Sequence, residues 1–298
     1  MRKKYTIILI FLTIGWLASS AGKPFELSFW GQPGMTSIYS RVHGGENSVG
    51  FGGHIGIGFN GNLNNRWQIS SGLEISFYNS SIRFPSIKSS YETYSDAIPT
   101  GSEQETNEMN KFIYMAEYEN MKEYREALYL QIPVLFRYFI GKEKRYFAGI
   151  GAKLGVPLSG HYRTTASSRT TKGYFPHEDC TYTDLPRHGF GTVNDISVKN
   201  HFSLQVNAVL TAEAGFKCNI TKKQSLYLSA YIDYGFTHLY KGKKENPLLE
   251  YRVEDVSHPI QHSLSGAQYH LDNGIIQTSG NTQTLSAGIK IQWNIPLK

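Results

Sequence analysis

Between Thr284 and Leu297 the side chains alternate strictly: Leu285, Ala287, Ile289, Ile291, Trp293 and Ile295 are apolar, and Ser286, Gly288, Lys290, Gln292 and Asn294 between them are small or polar. A β-strand sends successive side chains to opposite faces, so this text predicts a strand with one greasy and one polar surface. The pattern recurs, and predicts eight strands near residues 25–33, 49–60, 67–84, 127–140, 146–158, 202–220, 225–239 and 283–297. In the third, Trp67, Ile69, Leu73, Ile75 and Phe77 oppose Gln68, Ser70, Gly72, Glu74, Ser76 and Tyr78, with Ser71 interrupting the apolar face. Each run is long enough for the roughly 9 to 11 residues a tilted strand needs to cross a bilayer.

The connections alternate in length. Residues 61–66, 141–145 and 221–224 are short polar turns, whereas 85–126, 164–201 and 240–282 are long and 43–47 is intermediate. Structureless loops longer than about 12 to 15 residues are uncommon in compact soluble domains, while membrane barrels pair short inner turns with long outer loops. The polar faces are rich in glycine, including Gly56, Gly58, Gly72, Gly149, Gly151, Gly215 and Gly288. The inside of an eight-stranded barrel is just wide enough for side chains, which assigns the small polar face to the lumen and the apolar face to lipid. Trp67, Phe59 and Trp293 near the turn ends, and Phe77, Phe236 and Tyr240 near the loop ends, are placed to form two interfacial girdles. The expected fold class is all-β: an eight-stranded antiparallel up-and-down transmembrane β-barrel with short periplasmic turns and long extracellular loops.

Residues 1–21 carry Arg2, Lys3 and Lys4, an apolar run from Ile7 to Leu17, and the small residues Ser19 and Ala21, the layout of a signal peptide cut after Ala21. Residues 22–298 form the barrel domain, and loss of the leader lowers the net charge from +6 to +3. No basic run interleaved with aromatics suggests a nucleic-acid face. Cys180 and Cys218 are expected at opposite ends of the barrel, beyond the roughly 7 Å a disulfide spans. They are read as unpaired thiols.

Parity places Glu26, Glu74, Glu213 and Asp233 in the lumen with Arg137, Lys153, Lys217 and Lys290, and adds His54, Gln131 and Gln205 as hydrogen-bonding neighbours. Charges confined at low dielectric must pair or lose their ionisation, so four acids against four bases predict a salt-bridge network that fills the bore. Diffusive porins need about 16 strands for a wide channel. Other constellations are weaker. Glu103 with Glu105 and Glu117 with Glu119 read as a solvated acidic loop. His258 and His262, among the loop histidines His43, His177, His188 and His270, flank Pro259, which opposes a helical metal site, and zinc wants three or four convergent ligands. His238 cannot join Asp233 in a hydrolytic triad because the two have opposite parity, and no G-x-S-x-G elbow is present. No catalytic residue, metal site or cofactor is expected.

The segment Y-L-Q-I-P-V-L-F-R-Y-F, residues 129–139, followed by Y-F-A-G-I-G-A-K-L-G, residues 146–155, resembles the outer-membrane β-barrel domain family of the PorT-like porin type. The motif positions are Tyr129, Leu130, Ile132 and Pro133, with Gln131 where the family usually carries an acid. The resemblance implies an eight-stranded barrel in the outer membrane of a Gram-negative bacterium, with some relatives serving protein secretion. Proline supplies no ladder N–H, so a bulge is expected at Pro133.

The expected function is that of a monomeric structural or surface-interaction barrel. Its partners would be outer-membrane lipid and lipopolysaccharide, and extracellular protein or glycan met by about 120 loop residues. Tyr91, Tyr94, Tyr114, Tyr118 and Tyr124 offer amphipathic contact area for such partners. The alternatives are a narrow conduit for ions or small solutes and an accessory role in protein secretion.

Overall fold

The computed structural model describes residues 25–94, 111–201, 203–221, 224–240, 246–248, 251, 263–271 and 274–297. The strands are β1 Glu26–Val42, β2 Glu46–Asn62, β3 Trp67–Tyr94, β4 Lys111–Ile140, β5 Tyr146–Phe175, β6 Cys180–Tyr182, β7 Gly191–His201, β8 Asn207–Thr221, β9 Gln224–Gly235, β10 Asn246–Pro247, β11 Ala267–Leu271, β12 Gly274–Gln277 and β13 Ser279–Pro296. Eight of them close a ring in the order β1, β2, β3, β4, β5, β8, β9, β13, every neighbour antiparallel, with β13 returning to β1. This is the expected barrel. The Glu26↔Pro296 pair seals its seam at the short-turn end.

Alternation explains which way each strand faces. On β9, Tyr227, Ser229, Tyr231 and Asp233 are buried while Ile232 and Tyr234 are exposed. On β3 the large outward groups run from Trp67 through Leu73 and Ile75 to Phe77. At ~3.3 Å per residue and a tilt of ~40° that stretch rises about 25 Å, the height of a lipid-facing band. The girdle expectation meets exposed Phe59, Trp67, Trp293, Phe77 and Phe236, but Tyr240 points inward and is buried.

The long connections differ most from expectation. Segments 85–126 and 164–201 are largely strand: β3 and β4 pair without a register shift from Trp67↔Tyr138 to Tyr94↔Lys111, and β4 stays paired with β5 up to Ile113↔Tyr174. Residues 80–84 and 121–126 extend the wall by pairing together, as their sequence allows. The sixth ring strand, expected from residue 202, begins at Asn207. The preceding Gly191–His201 instead pairs β5 above the level where β8 leaves it. β6 adds a short rung to the end of β5.

These extensions own a core. Ile82, Phe84, Ile87, Phe112, Tyr114, Ala116, Tyr118 and Met121 from β3 and β4 pack with Ala166 and Phe190, and Leu248, Leu264 and Ala267 from the last long segment close over them. Phe112 stacks on Phe175 at 4.8 Å and meets Tyr251 edge-on at 4.9 Å, geometry that adds about 0.5–1.5 kcal/mol per pair beyond area burial. The tyrosine expectation is therefore corrected in part. Tyr114 and Tyr118 are buried there, desolvation holding both phenols above their ordinary pKa, and Tyr91 accepts from the Tyr251 backbone N–H at 2.6 Å. Tyr94 and Tyr124 remain exposed.

One line across the sheet permits this second core. Pro85 on β3, Asn120 on β4, Ser167 on β5 and Asp195 on β7 occupy aligned rungs, each flanked by pairs of unchanged register. Asn120 and Asp195 have φ of 49° and 54°. Below the line Phe84, Met121, Glu123 and Ala166 are buried; above it the buried set shifts parity to Ile87, Tyr118 and Arg169. The pleat inverts there without adding a residue to either strand.

The bulge expected at Pro133 is absent. The ladder of β4 with β3 lapses opposite Pro133 between Ser71↔Val134 and Glu74↔Gln131, then resumes in the same register. The irregularity lies at Leu128/Tyr129, which pair with Ser159 and Pro157 and leave Leu158 as the extra residue. The rule linking proline to bulges holds for Pro157 instead.

Asn tolerates the left-handed region that β-branched residues avoid. Asn120→Val should destabilise the outer sheet by about 1–2 kcal/mol, and Asn120→Gly should be far milder. Limited proteolysis and hydrogen exchange of the refolded protein would read this as faster cleavage and exchange in 86–119, with heat-modifiable gel migration of the barrel retained.

Candidate functional site in the barrel lumen

Six of the eight charges placed in the lumen by parity converge in two clusters. In the first, Lys153 Nζ lies 2.7 Å from Glu74 Oε1 and 2.7 Å from Asp233 Oδ2. The second Glu74 oxygen accepts from Trp30 Nε1 at 2.7 Å and Gln32 Nε2 at 3.2 Å. His54 Nε2 stands 3.6 Å from Asp233 Oδ2 and 3.1 Å from Ser286 Oγ. Its ring sits edge-on between Tyr78 and Tyr231, at 5.4 and 5.7 Å.

In the second cluster Arg137 Nε donates to Glu213 Oε1, and Lys290 Nζ lies 3.0 Å from Glu213 Oε2. Arg137 Nη1 also donates to Gln68 at 3.2 Å and Ser70 at 3.1 Å. Lys290 lies 5.5 Å from the Trp30 ring centre, so the indole joins the two clusters, bonded to one and stacked on the other. Three acids thus meet three bases, all buried. Each carboxylate has at least one cation within 3.0 Å, the pairing that a low-dielectric interior demands.

Glu26 and Lys217 stand apart. Glu26 accepts from Asn294 Nδ2 at 2.7 Å near the short-turn mouth, and Lys217 lies 5.4 Å from the Tyr227 ring centre and 6.0 Å from that of Phe139. Both are only half-buried. Of the expected hydrogen-bonding neighbours, Gln131 accepts from Ser76 Oγ at 2.9 Å and donates to Tyr78 Oη at 3.2 Å. Gln205 lies beyond the start of β8, where it bonds the Tyr240 carbonyl at 3.1 Å, outside the network. Of the family-motif residues, Tyr129 faces inward and donates to the Gln205 carbonyl at 3.0 Å, Pro133 faces inward, and Leu130 and Ile132 lie on the lipid side.

Apart from Tyr78, which parity places on the polar face, the aromatic share of the lumen escaped the parity reading. Trp30, Tyr78, Tyr129, Tyr227 and Tyr231 occupy inward positions and are buried. Tyr227 with Phe139 and Phe147 forms a plug beneath Arg137, whose guanidinium lies 5.4 Å from the Tyr227 ring centre and 5.6 Å from that of Phe147. The glycines make room: a Cβ on Gly56 or Gly72 would collide with the Trp30 ring. A glycine facing a tryptophan across the bore was the available signal. A void among Trp30, Glu74, Arg137, Lys153 and Lys290 measures about 20 Å³, the space of about one water molecule.

A second filling lies nearer the long-loop end. Glu123 accepts from Ser263 Oγ at 2.8 Å, the Leu264 N–H at 2.7 Å and Thr164 Oγ1 at 3.2 Å. Arg125 donates to Ser265 Oγ at 2.9 Å, Ser40 Oγ at 3.2 Å and the Ile38 carbonyl. A one-turn 3₁₀ helix, Leu264–Gly266, capped by Ser263, is thereby held at the mouth with Ser263, Leu264 and Ser265 buried. Glu123 and Arg125, two charges from the long connection 85–126, are fully buried. Glu117 does lie at the surface, paired with Lys88 at 3.1 Å, and Glu119 accepts from Ser168 at 3.0 Å. Glu103 and Glu105 lie outside the described residues.

Cys180 and Cys218 are free thiols. Among the described residues no cluster of three metal-ligating side chains occurs; His258 and His262 lie outside them. His238 Nδ1 accepts from the Thr282 N–H at 3.0 Å, on the opposite parity from Asp233.

Breaking a buried pair from one side costs about 3–5 kcal/mol because the partner charge is stranded. Lys153→Ala, which strands Glu74 and Asp233, should lower the temperature of the heat-induced gel shift more than Lys217→Ala, and a Lys153→Ala, Glu74→Gln, Asp233→Asn triple variant should recover part of the loss.

The family described as outer membrane protein beta-barrel domain matches residues 20–241. A comparison with curated proteins finds no match. Among solved structures, Neisserial surface protein A is similar at 10% identity and a TM-score of 0.33, over 92% of this chain and 97% of that one. Ail, the attachment invasion locus protein of Yersinia pestis, is similar at 10% identity and a TM-score of 0.28, over 91% and 99%. The translocator domain of autotransporter NalP from Neisseria meningitidis follows at 9% identity and a TM-score of 0.21, over 98% of each chain. At that distance the likenesses decide nothing about this chain's role.

Proposed function

Because the chain belongs to the outer membrane protein beta-barrel domain family, we propose that it is a sealed outer-membrane barrel whose working part is the folded β-structure it raises above the bilayer. The observation that carries this reading is the double filling of the bore. Two charge clusters with an aromatic plug occupy the membrane level, and the Ser263–Ser265 turn, pinned by Glu123 and Arg125, occupies the mouth. The void among Trp30, Glu74, Arg137, Lys153 and Lys290, about 20 Å³, is smaller than a hydrated ion, which supports a closed bore.

The outer sheet supports an interaction role by its order. Its inner face has an apolar core, and its outer face presents Ser86, Lys88, Glu117, Ser168 and Thr170, a polar surface held rigid by cross-strand pairs such as Lys88 to Glu117. A rigid polar sheet suits protein or glycan contacts because little side-chain and backbone freedom is lost on binding. In the lumen the same His54 nitrogen faces both Ser286 Oγ and Asp233 Oδ2, so the acid does not orient the opposite ring nitrogen as a hydrolytic triad requires, and the charges described there are paired, which supports a non-enzymatic role.

In planar bilayers the refolded mature protein should show heat-modifiable migration and no steady single-channel current. Steady current altered by Lys290→Ala or Glu74→Ala would replace this reading with that of a narrow conduit. For the surface role, a variant in which residues 87–118 are replaced by a two-residue turn should fold as a barrel yet lose binding to extracellular proteins or glycans on an array that captures the full protein; undiminished binding would remove the outer sheet from the function.

A further inference from the structure

Just beyond the apolar band the outer wall changes chemistry within two rows of the sheet. Along β3, β4, β5 and β7 one row reads Asn79, Glu126, His161, His201 and the next Ser81, Tyr124, Arg163, Lys199. A third row adds Arg83 and Lys122. His161, Arg163, Lys199 and His201 are exposed; Glu126 is the one acid these rows carry on β3, β4, β5 and β7, and Glu46 on β2 faces Arg83. Lys122 lies 4.3 Å from the Tyr124 ring centre, the two imidazole centres are 4.4 Å apart, and Arg163 Nε reaches Ser197 Oγ at 3.5 Å. Among the described residues neither Arg163 nor Lys199 has a carboxylate partner. A groove of about 710 Å³ runs between Tyr124, His161, Arg163, Lys199 and His201, with the Glu126 carboxylate on its lower side.

Directly below lie exposed Leu158, Val156 and Leu154 on β5 and Phe77 on β3. The vertical order is thus an aliphatic wall, a row of two imidazoles with the Glu126 carboxylate, then a row of phenol, guanidinium and ammonium groups. Neighbouring strands lie about 4.8 Å apart, so Arg163 and Lys199, paired across the ladder on one face, are placed where both long side chains can reach one tetrahedral anion. No core or lumen contact requires these groups, and an unpaired cation at this depth gains most from an anion fixed at the membrane surface.

We propose that this wall of β4, β5 and β7 seats the phosphate-bearing headgroup of an outer-leaflet glycolipid of the lipid A class, with its acyl chains along Leu158, Val156 and Leu154. Arg163 and Lys199 hold the phosphate, and His161, His201 and Tyr124 supply hydrogen bonds to the sugar. The inference rests on the outer-membrane placement and is independent of whether the lumen conducts.

The test uses the refolded mature protein in detergent and bisphosphorylated lipid A, with binding read by native mass spectrometry. Arg163→Glu with Lys199→Glu should weaken binding at least about tenfold, the loss of one charge-assisted contact. Lys142→Glu with Lys144→Glu at the opposite end should leave it unchanged. Dephosphorylated lipid A should bind the unaltered protein about tenfold more weakly, an arm that needs no variant to fold. Equal binding of both lipids, or undiminished binding by the double variant with its heat shift intact, would overturn the proposal. Displacement of the lipid by inorganic phosphate alone would also overturn it, showing an anion site rather than a lipid seat.

Discussion

Closure of a ring of only eight strands is the constraint on which the rest depends. In hydrocarbon no edge can be left unpaired, so the sheet must close, and at eight strands closure leaves a bore one side chain deep on each wall. Everything pointing inward must then find its partner among other inward groups. Lys153 bridges Glu74 and Asp233, Arg137 and Lys290 share Glu213, and Trp30 lies over Gly56 and Gly72, where a Cβ would collide with its ring. Buried ion pairs contribute little net stability compared with apolar packing of the same shape. In this bore they impose register instead: a one-residue slip of β5 would turn Lys153 toward lipid and strand two carboxylates.

The barrel was legible because lipid and lumen impose a strict period of two. That period named the ring strands and brought Glu74, Arg137, Lys153, Glu213, Asp233 and Lys290 to the right face. It overreached at Glu26 and Lys217, whose parity is right but whose height puts them at the mouth, where side chains reach water or an aromatic ring in place of an opposite charge. Parity carries no information about depth. Gln205 failed for a related reason: its strand had not yet begun.

The outer sheet was less legible because water relaxes the code. Above the bilayer the outward face can be Ser, Thr, Lys or Glu, so stretches such as residues 86–94 and 164–174 read as loop although they pair as strand. Burial of Tyr114 and Tyr118 was hidden by the change of phase at Asn120, a left-handed residue that no alternation count anticipates. The buried carboxylate of Glu123 was hidden too, since its partners, Ser263, Leu264 and Thr164, come from elements far away in the chain.

The line through Pro85, Asn120, Ser167 and Asp195 uncouples the two levels of the wall. Because the pleat is reset there, which residues face inward above the line is no longer tied to which face inward below it. The external hairpins can lengthen, shorten or exchange their faces without disturbing the spacing of charges in the bore. The fold is thus divided into a lower and an upper wall whose facing patterns are set independently, joined at one row of four residues.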